Sequence, residues 1–87
     1  MKIEYSQKFI KEFEKCPKNI KKAFLIRLKI FIKDDRSPIL NNHSLSGKLK
    51  SFRSININGD WRAVFEEMDN KKIAYFITIG THSKLYS

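Results

Sequence analysis

Cysteine occurs once, at Cys16, so no disulfide can form within the chain, and a reducing, cytoplasmic setting is the expectation. Glycine is limited to three residues and proline to two, too few for a linker-rich or low-complexity protein. No apolar run approaches the roughly 20 residues that a membrane helix needs, and no membrane association is predicted. The opening MKIEYSQKF has no apolar core segment and carries Glu4, so no secretory signal is expected. One cysteine and two histidines do not make a zinc site. Phosphate-binding glycine loops and nucleophile elbows are absent too, and no metal or cofactor is predicted. Acidic residues are scarce: nine Asp and Glu face eighteen Lys and Arg, a net charge of +9. That imbalance points to a polyanionic or acidic partner, nucleic acid foremost.

What is present describes a folded domain. Hydrophobic residues make up 41% of the chain and aromatics 13%, enough for a core and too many for a disordered basic tail. Eighty-seven residues predict one domain, 1–87, burying roughly two thirds of its unfolded surface. Residues 2–5 read as a short strand. Ser6 is placed to cap a helix carrying Phe9, Ile10, Phe13 and Cys16 at helical spacing. Pro17 ends that helix or opens the next, which runs over 18–33. There Ile20, Ala23, Phe24, Leu28 and Phe31 make one stripe, widened by Leu25, Ile30 and Ile32. Residues 34–51 read as a long loop, of the kind that is often functional. Strands follow at 52–57, 61–67 and 72–80, with an Asn-Gly turn signal at 58–59 and a second turn at 68–71. On the first of them Ile55 and Ile57 point one way, Ser54 and Asn56 the other. The third is nearly all apolar, as suits a central strand covered on both faces. The predicted fold is an α+β two-layer sandwich, β-α-α-β-β-β. A helical hairpin packs on a mainly antiparallel four-stranded sheet.

Few residues offer chemistry: His43 in the long loop, Asp60 after the hairpin turn, His82 and Tyr86 in the closing GTHSKLYS, and Arg53 and Arg62 on the strands. A meander can bring its strand ends and the long loop to one edge. Each residue also has a plain structural reading: a solvated loop histidine, a turn aspartate, a water-facing arginine, a tyrosine plugging the core edge. His82 differs in kind, because it directly follows a buried strand.

The stretch HSLSGKLKSFRSININGDWRAVFEE, followed by IGTHSKLY, resembles the RelE/ParE toxin superfamily, nearest to its YafQ branch. His43, Leu45, Gly47, Arg53, Asp60, Trp61, Gly80, Thr81, His82, Ser83 and Leu85 match that branch's pattern. The element order is also RelE-like, so the likeness spans the chain. Where the pattern has a further histidine, four residues before the aspartate, this chain has Asn56, an amide that cannot exchange a proton near neutral pH.

The resemblance implies the toxin of a type II toxin–antitoxin pair. Such a toxin is a metal-free endoribonuclease that cuts mRNA on the ribosome, and a cognate acidic antitoxin neutralises it. By that likeness His43, Asp60 and His82 are catalytic, and Tyr86 replaces a phenylalanine that helps place the RNA. Cleavage requires a base for the 2′-hydroxyl, an acid for the departing 5′-oxygen, and positive charge at the crowded phosphorane. Imidazole suits both proton roles. His82 is expected as the acid and His43 or Asp60 as the base. Arg53 and Arg62, with Asn56, are expected to hold the phosphate, and Tyr86 to stack on a base. Lys18, Lys21, Lys22, Lys29, Lys48, Lys50 and Lys84 are expected to contact messenger or ribosomal phosphate. Gly80 is expected to let the strand turn into the tail. Two alternatives remain: a ParE-type toxin acting on DNA gyrase without nuclease activity, and a basic RNA-binding module without catalysis.

Overall fold

The structure is a computed structural model and describes residues 1–47 and 51–86. The expectations for Lys48 and Lys50, and for the side chain of Tyr86, lie outside the described residues. Strand β1 (Lys2–Tyr5) leads into helix α1 (Gln7–Glu14) and then helix α2 (Lys18–Lys33). A single 3₁₀ turn, Pro38–Leu40, precedes strand β2 (His43–Ser44). Strands β3 (Arg53–Asn58), β4 (Trp61–Met68) and β5 (Ile73–Thr81) follow, and helix α3 (His82–Tyr86) completes the order.

Ser6 begins α1 as its composition predicts. Its Oγ accepts from the Phe9 amide at 2.9 Å and donates to the Ile77 carbonyl at 2.7 Å. One hydroxyl therefore caps the helix and pins it to β5. Beyond Tyr5 the edge of β5 has no strand beside it, and α1 covers it instead. Glu12 accepts there from Thr78 Oγ1 at 2.6 Å and from the Ile79 amide at 3.2 Å. An exposed strand edge is thereby satisfied by side chains.

The helices meet each other and the sheet through aromatic rings. Phe76, on β5, lies within 6.1 Å (centroid to centroid) of Tyr5, Phe9, Phe24, Phe31 and Phe65. Most of these pairs are tilted or edge-on, the arrangement ring quadrupoles favour. Around them Ile20, Leu40, Ile55, Ile57, Ala63 and Ile79 complete the core. The apolar stripe is narrower than helical periodicity predicts. Ile10 is 43% exposed, Leu25 51% and Ile32 54%, whereas Ile30 packs on the core. Each helix buries only a thin line of residues, so Ile10 of α1 and Leu25 and Ile32 of α2 stay outside.

The predicted four-stranded sheet has a fifth strand. The order is β1-β5-β4-β3-β2, with β1 parallel to β5 and the other pairs antiparallel. The extra member is β2, inside the segment expected to be loop. It pairs His43 with Ser54 and Ser44 with Arg53, and Leu45 N donates to Phe52 O at 3.0 Å. Upstream, buried Leu40 anchors the segment to the core, and Asn41 turns it with a left-handed φ of 47°. Asparagine tolerates that conformation better than most residues. The β3–β4 turn falls on Gly59-Asp60, one residue later than the Asn-Gly signal, with Gly59 at φ 53°. Register slips between Asn56 and Asn58, a bulge that leaves Ile57 buried in the core.

Gly80 has no left-handed φ, so conformational freedom is not its purpose. A Cβ placed there would lie 3.3 Å from Leu85 Cδ2 and 3.5 Å from Leu85 Cγ. The glycine makes room for α3 to fold back over β5. That reason replaces the expected role in turning the strand.

Candidate active site

Alternation along β3 and β4 divides the sheet into two faces. Ile55, Ala63 and Ile79 share the helix-covered face through the pairs Ile55–Ala63 and Ala63–Ile79. Ser54 pairs with Val64 and with His43, and Asn56 pairs with Arg62, which in turn faces Gly80. These residues lie on the opposite face. On that face a cleft of about 500 Å³ is lined by His43, Arg62 and His82, together with Asn41, Ser44 and Ser46. Two histidines 39 positions apart in the sequence are thus brought to one cleft beside an arginine.

His43 is set by its own strand. As part of β2 it is fixed against Ser54, and its exposed ring pairs through Nδ1 with the Asn41 carbonyl at 2.7 Å. A carbonyl can only accept, so Nδ1 carries the hydrogen, and in the neutral ring the lone pair is on Nε2. His82 is held at the junction of β5 and α3. Its amide donates to the Asp60 carbonyl at 2.8 Å, joining the tail to the β3–β4 turn. One turn on, the Lys84 amide donates to Thr81 Oγ1 at 3.3 Å. Arg62 is half-buried, and its Nη1 donates to the Gly59 carbonyl at 2.8 Å and the Trp61 carbonyl at 3.1 Å. Those bonds anchor one corner of the guanidinium at the cleft wall.

Other predicted residues lie elsewhere. Arg53 pairs in register with Phe65 and so sits on the helix-facing side. Its Nε donates to Asn42 Oδ1 at 2.7 Å and its Nη2 to the Asn42 carbonyl at 3.3 Å, while Asn42 Nδ2 donates to the Asp35 carbonyl at 2.8 Å. Arg53 therefore braces the segment that carries His43 and does not line the cleft. Asp60 also is not among the lining residues. Its side chain is exposed, and its backbone carbonyl is the atom that touches His82. Asn56 stands beside Arg62 in register, with Oδ1 buried and no hydrogen-bond partner among the described residues. Lys18, Lys22 and Lys29 are exposed along α2, and Lys21 is half-buried. Lys84 lines two smaller depressions on α3's other flanks. Asn41, Ser44 and Ser46 were not anticipated. Short polar residues in a loop carry no spacing signal, and only pairing with β3 reveals them.

Two groups outside the cleft have a raised pKa. Burial raises the pKa of the Cys16 thiol; Glu12 adds to the rise, and Lys21 and Lys84 oppose it. Burial also raises the phenol of Tyr5.

The family model described as the bacterial toxin of a type II toxin–antitoxin system, YafQ, matches residues 1–87. Among solved structures, YafQ from E. coli strain BL21(DE3) superposes with a TM-score of 0.81 at 22% identity, covering 98% of this chain and 97% of that one. A YoeB/ParE toxin from Agrobacterium tumefaciens gives 0.79 at 13% identity, covering 94% and 99%. YafQ in the E. coli DinJ–YafQ complex gives 0.70 at 27% identity, covering 98% and 97%. A comparison with curated proteins finds no match. A match over the whole length, on a fold shared with those structures, means that this chain belongs to the YafQ family of bacterial type II toxin–antitoxin toxins.

Proposed function

We propose that this toxin is a ribosome-dependent endoribonuclease, and that the cleft between β2 and α3 cuts mRNA by acid–base chemistry on its own side chains. One observation carries the reading: His43, Arg62 and His82, drawn from three separate elements, line a single cleft.

The geometry supports a division of labour. His43 presents Nε2 as a proton acceptor because Nδ1–H is committed to Asn41. It takes the proton of the 2′-hydroxyl, whose oxygen then attacks the adjacent phosphorus. His82, in its protonated form, gives a proton to the departing 5′-oxygen. The bond to that oxygen breaks as the 2′–phosphorus bond forms, leaving a cyclic phosphate and a free 5′-hydroxyl. Arg62 lies between them and offsets the charge that gathers on the phosphorane oxygens. Each positioned proton-transfer group contributes on the order of 10²–10⁴-fold. Asp60 serves through its carbonyl, by holding His82, and Arg53 by bracing the His43 segment through Asn42. Asn56, beside Arg62, has an acceptor and a donor to offer a ribose or phosphate. Tyr86 stacks on a base. The cations of α2 and α3, Lys48 and Lys50 meet messenger or ribosomal phosphate.

The partner that silences such a toxin is a cognate acidic antitoxin. Supporting this, Ile10, Leu25 and Ile26 lie on the helical layer at 43%, 51% and 60% exposure, beside an apolar groove of about 250 Å³ between α1 and α2. Exposed aliphatics in that density mark a surface that another protein covers. YafQ of E. coli has itself been solved in complex with DinJ.

The test is timed induction in cells with RNA 5′ ends mapped. Discrete cuts within translated codons, lost in His82→Ala, are the expected outcome. Intact messages with inhibited DNA supercoiling would transfer the chain to the gyrase-directed alternative. RNA binding without new ends would reduce it to a binding module.

A further inference from the structure

The RNA-cleaving reading leaves a second depression unused. It encloses about 200 Å³ where the end of α1 meets the last residues of β5. Lys11 of α1, Lys15 just beyond its end and Lys84 of α3 line it, together with Trp61 and Thr81. Among the described residues that line it Glu12 is the carboxylate, and it accepts from Thr78 and the Ile79 amide along the β5 edge. Lys11 and Lys15, both exposed, thus bring positive charge to a depression whose described carboxylate is engaged along the β5 edge.

The groove and the catalytic cleft are built from the same two backbone segments. Trp61 pairs with Thr81 across the β4–β5 ladder, and both line the groove. Their chain neighbours, Arg62 and His82, line the cleft. Consecutive α-carbons are about 3.8 Å apart, and successive strand residues face opposite sides. The two depressions therefore lie next to each other at the same end of the ladder. A flexible polyanion seated in the cleft needs only to cross that strand end to reach the lysines.

We propose that the groove at Lys11 and Lys15 binds the phosphodiester backbone of the RNA immediately beside the scissile bond, so that the strand bends over the end of β4–β5. The inference rests on the nuclease reading for its direction, but its chemistry is separate. An acidic peptide also seeks lysines. The groove favours RNA because it lies beside the cleft and carries an indole as well as cations, the combination that single-stranded nucleic acid uses.

The experiment uses the full chain and a labelled 2′-O-methyl RNA 12-mer, which has no free hydroxyl to attack and so reports binding alone. Affinity is measured across a range of salt for the parent, for Lys11→Gln/Lys15→Gln, and for Lys71→Gln/Lys72→Gln. The last pair removes the same charge at the opposite end of the β4–β5 ladder. The groove variant is expected to bind several-fold more weakly. Its plot of log affinity against log salt should be shallower by about 1.4, or about 0.7 for each lost phosphate contact on a single strand. The distal variant should keep the parent slope. Equal losses in both variants would mean bulk charge and overturn the proposal. So would unchanged affinity in the groove variant, no binding by the parent at low salt, or tighter binding of a polyglutamate peptide than of the RNA. The two readings separate cleanly: a shallower slope in the groove variant, with cleavage retained in His82→Ala, keeps the groove and removes the catalytic assignment.

Discussion

The two faces of the sheet are made from alternate residues of the same strands, yet they have opposite characters. The helix-covered face is aromatic and packed around Phe76. The other face carries His43, Asn56 and Arg62, keeps a 500 Å³ cleft, and leaves Ser54 Oγ and Asn56 Oδ1 buried without partners among the described residues. Unpaired buried polar atoms cost stability, typically about 1–3 kcal/mol each. A fold tolerates such atoms where a site needs them, and the apolar face supplies the stability that offsets them. The comparison places the core and the candidate site on opposite sides of one layer, so substitutions should separate stability from activity.

The sharpest separation is expected at His82. His82→Ala should lower RNA cleavage by at least about a hundredfold, while denaturant unfolding changes by less than about 1 kcal/mol, because the side chain is exposed. A loss of stability comparable to a core substitution would merge the two faces. The reciprocal change is Phe76→Ala. It removes the ring common to five aromatic contacts and should cost about 3–5 kcal/mol in urea unfolding. A cost under about 1 kcal/mol would show that the aromatic cluster is not the centre of the fold.

Gly80→Val probes the contact between the faces. Its side chain must displace Leu85, whose Cδ2 lies 3.3 Å from the position of an added Cβ. Overpacking of this kind typically costs about 1–3 kcal/mol. Cleavage should fall further than that destabilisation explains, because α3 carries His82. Activity and stability that stay at the parent level would remove Leu85 as the clasp on the tail.

The smallest effect concerns Cys16. Burial raises its pKa, so less thiolate exists at any given pH than in an unfolded chain. Iodoacetamide at pH 8 should therefore label the native protein more slowly than the urea-unfolded one, and the native rate should climb only at higher pH. The same shift makes the thiol's contribution to stability complete below its unfolded pKa, and that contribution is lost as pH rises through the folded value. Equal labelling rates would show that the thiol is accessible.

Much of this was legible in the residues, for reasons that can be named. Ser6 marks the start of α1, and Phe24 and Phe31 mark the buried side of α2, because capping and period are local properties. The reach of the apolar stripe is not local. Leu25 and Ile32 fit the helical period but stay 51% and 54% exposed, because burial depends on what the fold sets against each helix face. Strand β2 was invisible because two residues show no alternation; its existence depends on the edge of β3. The Arg53 position was readable and was missed. Counting in steps of two from Ile55 and Ile57 places Arg53 on the core side, while Arg62 alternates against Ala63 onto the open face. The meeting of His43 and His82 in one cleft depends on strand order and on α3 folding back, neither of which spacing encodes.

The central claim is that His82 protonates the leaving oxygen while His43 activates the attacking one. It is tested most directly with a message whose scissile 5′-oxygen is replaced by sulfur, a leaving group that departs without an acid. On that substrate His82→Ala should regain nearly the parent cleavage rate, while His43→Ala remains slow. A His82→Ala enzyme that stays as slow on sulfur as on oxygen would contradict the assignment.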